Sequence, residues 1–420
     1  MPASRVPQNS KNRSYLLRFR WLRGNVLWLG LVSLLNDTAS EMVFPLLPLF
    51  LVGTLGAGPT ILGVIEGVAE TTASLVKLGS GWISDRIGRR KSLVGWGYGI
   101  AVAARPLLAL TGAPWQVLVL RFADRVGKGV RTAPRDALLA ESAPAERRGA
   151  AFGIHRAADH IGAVMGPLLA AGLLLLAPHG LRLVFALAAL PGLLAVALVV
   201  FAVRETPVAR PAPVPAGGAE VGHDGGARSG DDDDAADRTT PARRGLLAVL
   251  GLFTLGNASD AFLLLHAEHL GVATALVPIL WGALNVSKSL WSVPGGALAD
   301  RVGAGRVIIG GWVVYAAVYV GFAFAGAAWH AWALFIVYGL FYGLTEAPEK
   351  ALIAALGRAG RRGTAFGAYH LVTGAAALPA SVLFGAIWAA SGPMAAFLFG
   401  AGLALLSAAL LPLALRRTAN

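Results

Sequence analysis

The chain has 420 residues, of which 56% are hydrophobic and 14% charged, with a mean hydropathy of +0.63 and a formal net charge of +13. So much apolar surface exceeds what a soluble core of this length can bury, so the chain belongs in lipid. The absence of Cys excludes disulfides and thiolate metal sites, and the basic surplus sits in short loops, which excludes a nucleic-acid-binding face.

Residues 1–24 carry Arg5, Lys11, Arg13, Arg18, Arg20 and Arg23 and run into an apolar segment with no small-residue cleavage signature. They read as an uncleaved cytoplasmic tail. Twelve mostly apolar stretches follow, at about 25–52, 60–84, 92–111, 116–140, 150–177, 182–203, 245–266, 275–298, 307–327, 331–355, 364–390 and 394–415. Each is long enough to cross about 30 Å of hydrocarbon as a helix. The expected fold is all-α, with twelve transmembrane helices in two six-helix bundles, 25–204 and 245–415. Between them, 205–244 is a Pro/Gly/Ala tract containing the run Asp231 to Asp234, too polar to fold, and 416–420 is a short tail. With the N-terminus inside, the outer loops hold a single Lys or Arg, Arg182, so both termini are expected in the cytoplasm of a cell whose plasma or inner membrane the chain spans.

The two bundles are related by an internal repeat. Residues 130–156 align without a gap on 344–370, with 12 of 27 identical. A repeat in so apolar a chain points to a transporter with pseudo-symmetric halves.

Charges inside spans are costly unless they face protein or water, so their distribution maps the interior. Spans 9 and 12 have none, span 6 only Arg182 at its outer end and span 3 only Arg105. Every third helix is therefore expected to be a lipid-facing support, the other eight lining a polar cavity between the halves. Span 1 aligns Asp37, Glu41 and Phe44, with Pro45 and Pro48 set to bend its outer part. Span 2 offers Glu66, Glu70 and Lys77. On span 4, Arg121, Asp124, Arg125, Lys128, Arg131, Arg135 and Asp136 fall within an arc of about 140°, either a ladder of ion pairs or a cationic cavity wall. Span 5 adds His155, Arg156, Asp159 and His160, and the second half Asn257, Asp260, Lys288, Glu346, Glu349 and His370. From these the cavity set is Asp37, Glu41, Arg121, Arg125, Lys128, Arg131, Asp159, Asp260, Lys288 and Glu346. Asp37, Glu41, His155 and Asp159 are the candidates for proton coupling, since acids and imidazoles beside cations can trade a proton. A permanent ion pair of Asp37 or Glu41 with Arg125 or Lys128 is the competing reading. His266, Glu268 and His269 have ligand-type side chains but read as a wet loop mouth, and no metal is expected.

After span 2, Gly81, Asp85, Arg86, Gly88, Arg89 and Arg90 form GWISDRIGRR, which resembles the G-x-x-x-D-R-x-G-R-R signature of the major facilitator superfamily. Gly296, Asp300, Arg301, Gly303 and Arg306 after span 8 are similar to a second, weaker copy. In span 5, Gly162, Gly166 and Pro167 resemble the superfamily's antiporter motif. In span 4, Arg125, Lys128 and Gly129 resemble R-x-x-Q-G with Lys in place of Gln. The resemblance implies alternating access by rocking of two bundles, with the repeated loops as gates, Arg86, Arg89 and Arg90 in water, and Gly162, Gly166 and Pro167 setting close approach and a bend.

The expected function is secondary active transport of a small-molecule substrate, as proton-coupled efflux by antiport. A symporter or facilitator for a small organic anion, with Arg125, Lys128 and Arg131 as counter-ions, is the alternative, and a non-transporting receptor or assembly factor the third reading. No enzymatic array or cofactor motif is present, and a monomer in the bilayer is the default.

Overall fold

The computed structural model describes residues 24–87, 89–143, 148–177, 180–205, 244–355 and 362–416. Most of the expected tails and linker lie outside them. Among the described residues the ordered elements are all helical, as a chain in hydrocarbon requires if its backbone groups are to be satisfied within each segment.

The helices, in chain order, are α1 (Asn25–Val43, continuing to Thr54), α2 (Pro59–Ile87), α3 (Arg90–Leu107), α4 (Pro114–Ser142), α5 (Arg148–Leu176), α6 (Leu181–Leu187 running into Ala189–Phe201), α7 (Arg244–His269, interrupted), α8 (Val277–Val302), α9 (Ala304–Ala323), α10 (Ala328–Ala355), α11 (362–391) and α12 (393–416). Among the described residues, seven stretches are long and apolar enough to cross a membrane on length and composition alone, the last of 49 residues containing most of α11 and α12. The row of charges on α4 keeps it out of that set. The boundary between α11 and α12 is Gly392, whose φ of 83° is open to glycine at little cost, followed by Pro393.

Past Val43, α1 becomes a 3₁₀ turn at Phe44–Leu46, an α turn at Leu47–Leu49 and a π turn at Phe50–Thr54. Pro45 and Pro48 cannot donate to the ladder, which accounts for the irregularity. α7 breaks at residues 257–260, a feature its apolar sequence did not announce. Some of the freed groups find local partners: Asn257 N–H donates to Thr254 O (3.0 Å) and Phe262 N–H to Ser259 O (3.1 Å).

α1 packs on α5 and α6, and α4 on α2 and α3. In the second half α10 packs on α8 and α9, and the halves meet along α2 with α11 and α5 with α8. Gly162 and Gly166 seat α5 on α1. A Cβ on either would come within 2.5 Å of a carbonyl oxygen, that of Leu34 or of Thr38, which explains small residues there. α5 runs through Pro167 as one helix, and Pro167 lies against Gly282 of α8 across the seam.

Three expectations are corrected. Arg105 on the expected support helix α3 is buried and reaches inward, donating from Nε to Asp124 (3.0 Å) and from a terminal nitrogen to the Asn36 side chain (3.0 Å). Arg90 is not in water: it is 6% exposed and ion-pairs with Glu141 at the end of α4. His266 is not at a wet mouth. It is 7% exposed, its Nε2 lies 3.1 Å from Phe322 O, and Phe322, Trp388 and Phe397 surround it.

Of the gate residues, Gly88 and the side chains of Asp85 and Asp300 lie outside what is described, as does the environment of Gly81. Arg86, Arg89 and Arg301 are exposed. Gly303 takes φ 93° at the α8–α9 turn, a conformation that explains glycine at that place in the signature. Gly296 has open space around it.

Candidate functional site

A cavity of about 740 Å³ lies between the halves. All of Asp37, Glu41, Arg121, Arg125, Lys128, Arg131, Asp159, Asp260, Lys288 and Glu346 line it. His155 does not. Its Nδ1 is 3.5 Å from Asp159 on the turn above.

The stripe on α4 turns out to combine both readings. Arg121 grips the carboxylate of Glu66 at 2.8 Å to each oxygen, with both side chains buried. Asp124 is held by Arg105, and Arg125 lies 3.7 Å from Glu70 and 3.9 Å from Asp124. Arg131 covers the Tyr98 ring at 4.4 Å and leaves one buried terminal nitrogen without a hydrogen-bond partner among the described residues. Arg135 turns to Asp136 (2.9 Å). Like Arg131, Lys128 has no carboxylate within 4.0 Å among the described residues, and it has no ring beneath it as Arg131 has in Tyr98.

The acids expected to carry a proton sit in unlike settings. Asp159 accepts from Ser33 Oγ and has Arg156 at 3.8 Å. Asp37 accepts from Asn36 (2.9 Å), and Glu41 from the Trp281 indole N–H of α8 (2.6 Å), a bond that crosses the seam. Neither Asp37 nor Glu41 has an ion-pair partner among the described residues. The permanent pairs with Arg125 or Lys128 that the sequence allowed are not formed.

The second-half wall is aromatic. Asp260, at the break in α7, accepts from Tyr338 (2.9 Å) and Tyr342 (2.7 Å). The Lys288 ammonium is 3.9 Å from Asp260, 3.5 Å from the Tyr342 ring centroid and 5.2 Å from that of Trp281, which packs on Phe44 of α1. Glu346 is exposed to the cavity. Sequence reading missed Ser74, Thr373 and Ser381, which also line it. Only their facing on α2 and α11 could have revealed them, and Ser and Thr are common in apolar helices.

Two helical bundles enclosing a charged cavity at their seam define a membrane transporter. The Major Facilitator Superfamily profile matches residues 29–287, and the chain belongs to that family. An uncharacterized MFS-type transporter of Methanocaldococcus jannaschii is 32% identical over 399 residues, covering 93% of this chain and 95% of that one. The multidrug resistance protein MdtG of Escherichia coli is 30% identical over 191 residues, 44% of this chain and 45% of its own. Among solved structures, that of the nucleoside transporter NupG has the same fold, with a TM-score of 0.74 at 14% identity over 93% of this chain and 99% of that one.

Proposed function

We propose that the protein is a proton-coupled exporter of a small polar solute, working by alternating access in the cell membrane with both termini and the basic loops in the cytoplasm. Glu41 carries this reading. It is a cavity acid without an ion-pair partner among the described residues, bonded from one half to Trp281 of the other. A carboxylate so placed can exchange a proton when the halves part or a solute arrives, because both events change its hydrogen bond and its surroundings. Asp37, one turn away, is the second candidate. The charged lining favours a polar solute over a lipophilic one.

Seam contacts cluster toward the end of the bundles that holds residues 55–58. Thr60 donates to Gly385 O (3.3 Å), and a Cβ on Gly63 would lie 2.2 Å from Ser381 O. Closure at that end supports an inward-facing state. The partial likeness to MdtG supports export. The test is reconstitution into vesicles loaded with a pH-sensitive dye: solute should drive proton flux in the opposite direction. Glu41→Gln should abolish that flux and keep solute exchange without a pH gradient. Loss of both, or retention of both, would remove Glu41 from the coupling role.

A further inference from the structure

The cations of the cavity are not equivalent. Arg105, Arg121, Arg125 and Arg135 each have a carboxylate within 4.0 Å. Lys77, Lys128 and Arg131 have none among the described residues, Arg131 lying over the Tyr98 ring at 4.4 Å, and Lys288 shares Asp260 with two tyrosine hydroxyls that already donate to both its oxygens. Lys128 stands on α4 in the first half and Lys288 on α8 in the second. Glu41 lines the same cavity as both lysines, and its own bond goes to Trp281, the ring beside which Lys288 sits. Lys77 adds to the positive field, its backbone lying beside Gly129, but it belongs to the same half as Lys128.

We propose that Lys128 and Lys288 together hold a single anionic group of the transported solute, a carboxylate or a phosphate ester, and that Glu41 keeps that place when the cavity is empty. Two ammonium groups that line one cavity both gain from an anion placed within reach of each. Lysine suits this task because it acts as a flexible point charge, where Arg121 is held on both oxygens of Glu66 and Arg135 is bonded to Asp136. An anion bound by one lysine from each half interacts with both bundles at once, so its binding energy depends on how the halves sit. The proposal rests on the reading that this cavity is the solute path.

The experiment measures thermal unfolding of the purified full-length chain in detergent at fixed pH. Succinate, citrate and glycerol phosphate are the anionic probes, and tetraethylammonium and spermidine the cationic controls. At least one anion should raise the melting temperature, and the carboxylate and phosphate arms identify which group is bound. Lys128→Gln and Lys288→Gln should each weaken that effect about tenfold in half-saturating concentration. Lys128→Arg and Lys288→Arg should retain it, which separates loss of charge from loss of fold. Glu41→Gln, which removes the place-holding charge, should tighten it. Stabilisation by the cations alone, by none of the anions, or by an anion in a manner indifferent to both lysines would overturn the proposal. An unchanged Glu41→Gln would overturn the place-holding part. No proton gradient is present, so failure of proton coupling leaves this result intact, and failure here leaves the dye experiment intact.

Discussion

α4 and α10 occupy equivalent places in the two halves, and the 214-residue offset of the repeat pairs their residues one to one. Arg121 stands opposite Phe335, Asp124 opposite Tyr338, Lys128 opposite Tyr342 and Arg135 opposite Glu349. One helix builds its wall from charge and the other from aromatic rings. The ionic wall needs counter-charges from its neighbours, Glu66 and Glu70 from α2 and Arg105 from α3. The aromatic wall offers hydroxyls, two of which donate to Asp260 beside Lys288 of α8. What the repeat has kept is close helix approach: α4 meets α2 at Gly129, and α10 meets α8 at Gly339 and Gly343. The backbone is shared and the chemistry has diverged, as an asymmetric solute between the halves would require.

The contrast breaks most severely at Glu66. Glu66→Ala would leave Arg121 buried without its partner, at a cost of about 3–5 kcal/mol, seen as a lower melting temperature in detergent. Tyr338→Phe, at the aromatic counterpart, removes one of two donors to Asp260 and should cost about 1 kcal/mol. Equal losses in the two variants would erase the distinction between the walls.

Seam geometry offers a smaller effect on stability with a clear effect on shape. Gly63→Val places side-chain carbons where the Ser381 carbonyl stands, so it should open the end at residues 55–58 and shift the population away from this state. Spectroscopic distances between labels on α2 and α11 should lengthen at that end. Gly172→Ala has nothing within 4 Å and should change neither distance nor melting temperature, which makes it the matched control.

The sequence revealed charge better than shape. Asp37, Glu41, Lys128, Asp260 and Lys288 could be placed in one cavity because a charge in a span has so few tolerable places. The role of Arg105 stayed hidden because a lone arginine on an otherwise apolar helix has the same pattern whether it snorkels to a membrane surface or reaches inward. The break in α7 at residues 257–260 was equally silent, since Asn257, Ser259 and Asp260 fit a helical pattern and only the packing of α10 supplies the hydroxyls that reward the break. Nothing in the sequence of α8 marks Trp281 out from the other tryptophans. Its bond to Glu41 depends on how two separate bundles meet, which periodicity within one helix cannot encode.

That bond joins α8 to α1 across the seam, and removing its donor is the most direct test. Trp281→Phe would be compared with the unaltered chain for proton flux driven by solute in vesicles and for solute exchange without a pH gradient. If the hydrogen bond across the seam links proton exchange to bundle movement, Trp281→Phe should weaken the flux and keep the exchange. A Trp281→Phe variant that couples normally would contradict the account.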